Sequence, residues 1–153
     1  MNQKDANKIL RFYETEIKDA PCSKDHHLNV RGGLLIHLKN TEDAAREIDP
    51  LNEQLHSLAK IHDIGKARTY IINNKNWVNY SKPAVDHLIN TIAMITESGY
   101  HLTQEELHAL QFHHGGWSPF AKNANLTELA IKLHTADMLA MSREDNNSHV
   151  KKV

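Results

Sequence analysis

Cysteine is nearly missing from this chain: Cys22 is the only one among 153 residues. No intramolecular disulfide can form, and a cysteine-based zinc site is not expected. Long apolar runs are missing too. No stretch approaches the ~20 residues of a membrane span, and the N-terminal MNQKDANKIL lacks the shape of a secretion signal, so a cytoplasmic location is expected. Neither sign of charge is in excess, since 18 Lys and Arg against 19 Asp and Glu leave −1 with neutral histidines. A strong overall field for gripping a nucleic-acid backbone is therefore absent, although a local basic patch remains open. Repeats and linkers are also lacking, and 153 residues suit one domain, 1–153, around one hydrophobic core.

Histidine, by contrast, is abundant: there are 12, against three Phe and four Tyr. They are dispersed, so they are no expression tag. Histidine is the commonest metal ligand and the side chain that titrates near neutrality, and such an excess asks for a cause.

The pattern is mostly helical. Ile9, Phe12, Tyr13 and Ile17 form a helical stripe over about Asp5–Lys18, followed by a polar loop over 19–32. A helix is predicted from Gly33 to Ile48, stopping at Asp49-Pro50, a dipeptide suited to cap the next helix, Leu51 to about His62. "RTYII" and "WVNY" flank a polar turn and predict a small β-hairpin over about 67–82. Pro83 opens a helix to about Ser98, ended by Gly99. Thr103 and Glu106 have capping-box spacing for a helix to about His113. Asn125, with Glu128, is expected to cap a last helix to about Ser142, and the polar tail from Arg143 is expected to fray. The expected fold is all-α, a helical bundle with a hairpin insertion and a core over about 32–142.

Laying apolar positions out at about 3.6 residues per turn exposes an anomaly. The second long helix has the stripe Leu34, His37, Thr41, Ala44 and Ile48; the third has Leu51, Leu55, Leu58 and His62. The last has Leu126, Leu129, Ala130, Leu133, Asp137 and Ala140. In each, a histidine or aspartate takes a slot that calls for leucine. An unpartnered buried aspartate costs several kcal/mol, so it finds a counter-charge or shifts its pKa. A buried metal ion resolves all three anomalies together. His87 lies on the flank of its stripe, while His113 and His114 both extend the Leu107–Leu110 stripe, and periodicity does not choose between them.

Each residue has a plainer reading. A lone histidine on an apolar stripe is more often a satisfied core residue than a ligand. Asp137 could pair with Arg46 or Lys132, and His62-Asp63 could be a helix-end histidine followed by a turn aspartate. Invoking the plain reading five times in one small domain weakens it, because coincident buried ionisable groups mark sites.

His37, then His62-Asp63, then Asp137 resembles the signature of the HD-domain metal-dependent phosphohydrolase superfamily. "GGLLIHLKN", "LAKIHDIGK", "FHHGG" and "LHTADMLA" each resemble the corresponding family segment, over about Gly32–Ala140. The resemblance implies a helical bundle in which His37, His62, Asp63 and Asp137 hold one metal. In two-metal members further histidines follow the HD pair and the aspartate bridges the ions, which implies roles here for His87 and for His113 or His114. The Gly-Tyr-Pro element of the HD-GYP cyclic-dinucleotide phosphodiesterases is absent from "HHGGWSP". The segments look closer to HD domains of bacterial 3′–5′ exoribonucleases, without their separate nucleic-acid-binding domain; stand-alone nucleotidases and single-metal deoxynucleotide triphosphohydrolases are the other near relatives.

Mixed imidazole and carboxylate ligands suit Mn, Fe, Co, Ni or Zn better than Mg. Two such ions ~3.5–4 Å apart can activate a hydroxide and clamp the oxygens of an in-line displacement at phosphorus. The expected substrate is a nucleotide or short single-stranded nucleic acid attacked at a phosphoester, with Asp63 and Lys66 as the catalytic residues. Lys66 is placed to neutralise a phosphate oxygen, and Gly65 to free the chain to turn. Arg31 could contact a phosphate, and Trp77 or Trp117 could stack on a base, although solvated or core roles are as common for such residues. His26 and His27 have too few partners to assign; His56, His101, His108 and His149 read as surface or structural. The rival expectations are a non-catalytic nucleotide sensor and a purely structural metal centre.

Overall fold

The computed structural model describes residues 1–23, 28–72, 78–80, 86–115 and 125–150, with backbone alone at 71–72, 78–80, 86 and 146–150. Helix α1 spans Gln3–Phe12 and opens with a reciprocal cap, Asp5 N donating to Asn2 Oδ1 and Asn2 N to Asp5 Oδ2. The expected single helix breaks at Tyr13, and a short α2, Glu14–Ile17, follows. At the break the Tyr13 phenol donates to Met94 O at 2.6 Å, tying this corner to a helix 81 residues on.

Helix α3 is Gly33–Ile48, as the stripe predicts, and buries Leu34, His37, Leu38, Thr41, Ala44 and Ala45. Gly33 is required by proximity, since a Cβ there would lie 2.2 Å from Leu28 O. Helix α4 is Glu53–Ile61 and is capped by Asn52, whose Oδ1 accepts from Leu55 N at 3.0 Å. The expected start at Leu51 is thus two residues early, and Leu51 is 96% exposed rather than on the stripe. A 3₁₀ turn, Ile64–Arg68, follows at once and leads into β1, Tyr70–Ile72, paired antiparallel with β2, Val78–Tyr80, with Ile71 opposite Asn79. The hairpin is therefore present, although Trp77 lies outside the described residues.

Helix α5 is Asp86–Glu97 and α6 is Gln104–Phe112. Thr103 Oγ1 accepts from Glu106 N at 3.2 Å, but the reciprocal half of the box is missing. The buried Glu106 carboxylate instead takes the Met1 amine at 2.8 Å and the Tyr100 hydroxyl at 3.0 Å. Helix α7 runs from Glu128 to Val150, well past Ser142, so the tail from Arg143 to Val150 is helical rather than frayed. Its first turn is held by Thr127, whose Oγ1 accepts from Ala130 N, rather than by Asn125.

Packing follows the stripes. Helix α3 lies between α7 and α4, α1 covers α4, α6 lies on α7, and α5 packs on the 3₁₀ turn. Leu34, Leu55, Leu58, Ile61, Ile64, Met94, Ile95 and Leu133 are fully enclosed, each contributing roughly 1.5–3 kcal/mol by leaving water. The all-α expectation holds, and among the described residues no helix is long and apolar enough to cross a membrane. His37, the end of α4, the start of α5, the end of α6 and the middle of α7 meet on one side of this core.

Candidate metal centre

The α4 helix ends at Ile61 with His62 as its C-cap, and the chain leaves helical geometry at Asp63 (φ −122°, ψ 17°) before entering the 3₁₀ turn. His62 Nδ1 donates back to Ala59 O at 2.8 Å, which turns Nε2 forward into the protein. His113, at the end of α6, is built alike: its Nδ1 donates to Leu110 O at 2.7 Å. His37 on α3 is fixed from the far side, with Nδ1 2.7 and 3.0 Å from the two Glu144 oxygens. Asp137 comes from the buried face of α7.

Asp63 sits among them with its two oxygens facing different partners. Oδ2 lies 3.4 Å from His62 Nε2 and 3.7 Å from His37 Nε2, and Asp137 Oδ1 closes that group at 3.0 Å from His37 Nε2 and 3.5 Å from His62 Nε2. Oδ1 lies 3.2 Å from His113 Nε2 and 3.7 Å from His87 Nε2, and His87 Nε2 is 2.9 Å from His114 Nε2. Two sets of donors result, His37–His62–Asp63–Asp137 and Asp63–His87–His113–His114, each with its ligand atoms within 4.8 Å of one another. Each could hold a metal ion. Both His113 and His114 reach the second set, so the choice left open by periodicity does not arise.

Neither a family model, nor a curated protein, nor a solved structure matches the chain. The chemistry must be read from these residues.

Burial decides how unusual the arrangement is. His37, His62, Asp63, His113 and Asp137 are at most 2% exposed. Yet His62 Nε2, both Asp63 oxygens, His113 Nε2 and Asp137 Oδ1 make no well-formed hydrogen bond. Short separations without hydrogen-bond angles are what donors aimed at a shared centre give, and leaving such atoms unsatisfied is costly. Only two other buried side-chain atoms among the described residues, Gln3 Nε2 and Ser57 Oγ, share that condition outside these sets. These atoms collect where a cation would satisfy them, and one of them, Asp63 Oδ2, already has the Lys66 ammonium 2.8 Å away.

Electrostatics agree. Burial alone would push the Asp63 carboxyl up, but Lys66, His62 and His113 hold it well below the usual carboxylate range. Asp137 is likewise held low against burial by the nearby imidazoles of His37 and His62. Burial opposes charge on His62, but Asp63 and Asp137 raise its pKa to about 9. His114, desolvated and beside His113, is pushed down to about 3 and is thus a neutral imidazole. The first set is a place where positive charge is wanted, and protons take it when no metal does.

Lys66 lies at the edge of the cluster, 8% exposed, with Nζ 2.8 Å from Asp63 Oδ2 and 3.6 Å from Cys22 Sγ. Arg31 is half exposed and pairs with Asp19 at 3.3 Å. Trp117 and the loop 116–124, like His26 and His27, lie outside the described residues. The plainer partners for Asp137 fall away: Lys132 is engaged by Asp49 and Glu128, and Arg46 by Glu42. His56 is indeed structural, bonding Asp49 O at 2.7 Å.

Gly65 has a different role from the one expected. It has no positive φ. What it needs is room, because α5 crosses so closely that a Cβ would lie 2.2 Å from His87 O and 2.4 Å from Thr91 N. Gly65 N donates to Thr91 Oγ1 at 2.9 Å, and Thr91 Oγ1 to His87 O at 2.7 Å. That contact sets His87 against Asp63. Sequence reasoning also missed His134, whose Nδ1 donates to His113 O at 2.7 Å, and Glu144. Glu144 continues the α7 stripe of Ala130, Leu133, Asp137 and Ala140 by four residues, a signal visible in the sequence.

Proposed function

We propose that this chain is a metal-dependent phosphohydrolase of the HD-domain type, hydrolysing a phosphoester of a nucleotide or of a nucleic-acid 3′ end. The observation that carries the reading is the Asp63 carboxylate, whose two oxygens face two separate donor sets. A carboxylate so placed suits a pair of ions sharing one bridging ligand. The donor sets are two imidazoles with two carboxylates, and three imidazoles with one carboxylate. Such mixed nitrogen and oxygen ligands favour Mn, Fe, Co, Ni or Zn over Mg. Divalent ions bound there would supply Lewis acidity and a water molecule activated for attack on phosphorus.

The protein's own contribution is to hold, orient and exclude. His62 and His113 are locked by helix carbonyls, so little reorganisation accompanies binding. The buried side of the cluster keeps bulk water out, while half-buried His114 leaves the second set the more open, and the substrate phosphate would enter there. Lys66, relieved of neutralising Asp63 once cations are bound, would turn its ammonium to a phosphate oxygen. Arg31 and Trp117 are candidate contacts for a phosphate and for a base.

The test is a panel. Protein loaded with Mn²⁺ is assayed against mononucleotides, deoxynucleoside triphosphates, cyclic nucleotides, cyclic dinucleotides and short single-stranded RNA and DNA. Turnover of at least one member, lost in Asp63→Ala with helical content retained, is expected. Tight binding of one member without turnover would make the chain a nucleotide sensor. Failure of both, with unfolding of Asp63→Ala, would leave a structural metal centre.

A further inference from the structure

Of the three candidate ligand histidines whose Nδ1 contacts are described above, only His37 leans on a charged group. His62 and His113 each donate to a neutral carbonyl three residues back on their own helices. His37 Nδ1 instead meets both oxygens of Glu144, 107 residues on, at 2.7 and 3.0 Å. Glu144 is only 5% exposed, and its carboxylate lies on the face of His37 opposite Asp63 and Asp137. A buried carboxylate seven residues beyond Asp137 on the same helix is costly unless something uses it.

We propose that Glu144 is the positioning residue of the first donor set, making His37 its strongest nitrogen ligand. This inference rests on the metal-binding reading given above. A carboxylate only accepts, so it fixes the proton on Nδ1 and leaves the Nε2 lone pair facing Asp63 Oδ2 and Asp137 Oδ1. Its negative charge also raises the basicity of the imidazole, an effect that the carbonyls behind His62 and His113 supply less strongly. Because Glu144 and Asp137 are seven residues apart on α7, the helix carries a ligand and the support for a second ligand two turns apart. The α7 segment beyond Ala140 thereby becomes part of the metal site, although it touches no metal.

Glu144→Gln and Glu144→Ala separate the two effects. Glutamine can still accept from Nδ1 but brings no charge; alanine does neither. Mn²⁺ affinity is measured by calorimetry on the full chain. The His37 tautomer is read independently in the metal-free protein from its ¹⁵N shifts, followed to alkaline pH until the shifts themselves show a neutral ring. Glu144→Ala should weaken Mn²⁺ binding about 10- to 100-fold and lose the fixed Nδ1–H tautomer. Glu144→Gln should keep the tautomer and lose less affinity. A merely structural Glu144 would change the urea midpoint while leaving the tautomer as in wild type, and that result overturns the proposal. So does unchanged Mn²⁺ affinity in Glu144→Ala when wild type binds. Absence of binding in wild type itself would instead sink the metal-binding reading beneath it.

Discussion

Replacing Gly65 with alanine tests how the His62-Asp63 turn is held against α5. The new methyl would stand 2.2 Å from His87 O, 2.4 Å from Thr91 N and 2.7 Å from Thr91 Oγ1, and the first two are backbone atoms that cannot rotate away. Ordinary carbon–oxygen contact is near ~3.4 Å, so α5 must retreat from the turn by about 1 Å. Overpacking of this kind costs roughly 1–3 kcal/mol. Stretching the Gly65 N–Thr91 Oγ1 bond, 2.9 Å long, forfeits about 1 kcal/mol more. Against these stands a gain of ~0.4–1 kcal/mol, because alanine restricts the unfolded chain more than glycine does. The net expectation is a loss of about 2–3 kcal/mol, or roughly 4–10 °C in Tm for a chain of this size. Urea unfolding followed by far-ultraviolet circular dichroism measures it. A second readout is local: His87 moves with α5, so the second donor set should bind Mn²⁺ more weakly while the first is little changed. A variant within about 0.5 kcal/mol of wild type, with metal binding intact, would refute the reasoning from close approach.

Two further outcomes follow from the charges. Lys66→Ala removes the ammonium 2.8 Å from the buried Asp63 and should destabilise the metal-free protein by about 3–5 kcal/mol. Saturating Mn²⁺ should restore most of that, while turnover stays depressed ~10²-fold or more; recovery of both would reduce Lys66 to a structural counter-ion. The pH dependence has a definite sign. His62, raised from 6.5 to about 9, contributes to metal-free stability fully below pH 6.5 and loses that contribution as pH rises through about 9. Asp63 and Asp137, held below their ordinary 3.8, contribute above that value and lose it as pH falls further. Urea midpoints of metal-free protein should therefore be highest between about pH 4 and 6.5. Mn²⁺ affinity should climb with pH across the same interval and up to about 9, with proton release seen as buffer-dependent binding enthalpy.

Helix α3 was fully legible, because its stripe is continuous and Gly32-Gly33 and Asp49-Pro50 punctuate it. The break at Tyr13 was not, since it coincides with a hydrogen bond to Met94 that no local pattern encodes. Leu51 read as core because it kept the helical spacing, but Asn52 rather than Asp49 supplied the cap, leaving Leu51 outside the helix and in water. At the site, ligand candidates betrayed themselves by breaking apolar stripes, and His37, His62 and Asp137 stand where that signal put them. The groups behind the ligands gave weaker signals. Glu144 lies in a stretch whose polarity reads as solvated tail, and its burial depends on His37 arriving from another helix. Gly65 reads locally as a residue that frees the chain to turn, whereas the reason for it lies in the close approach of α5, beyond the reach of local sequence.

The shared Asp63 is tested most directly by counting ions. Metal-free protein titrated calorimetrically with Mn²⁺, with metal content checked after gel filtration, should bind two ions per chain. Asp63→Ala, its fold verified by circular dichroism, should bind at most one, weakly. Two ions bound by folded Asp63→Ala with wild-type affinity, or none bound by wild type, would contradict a centre built around that carboxylate.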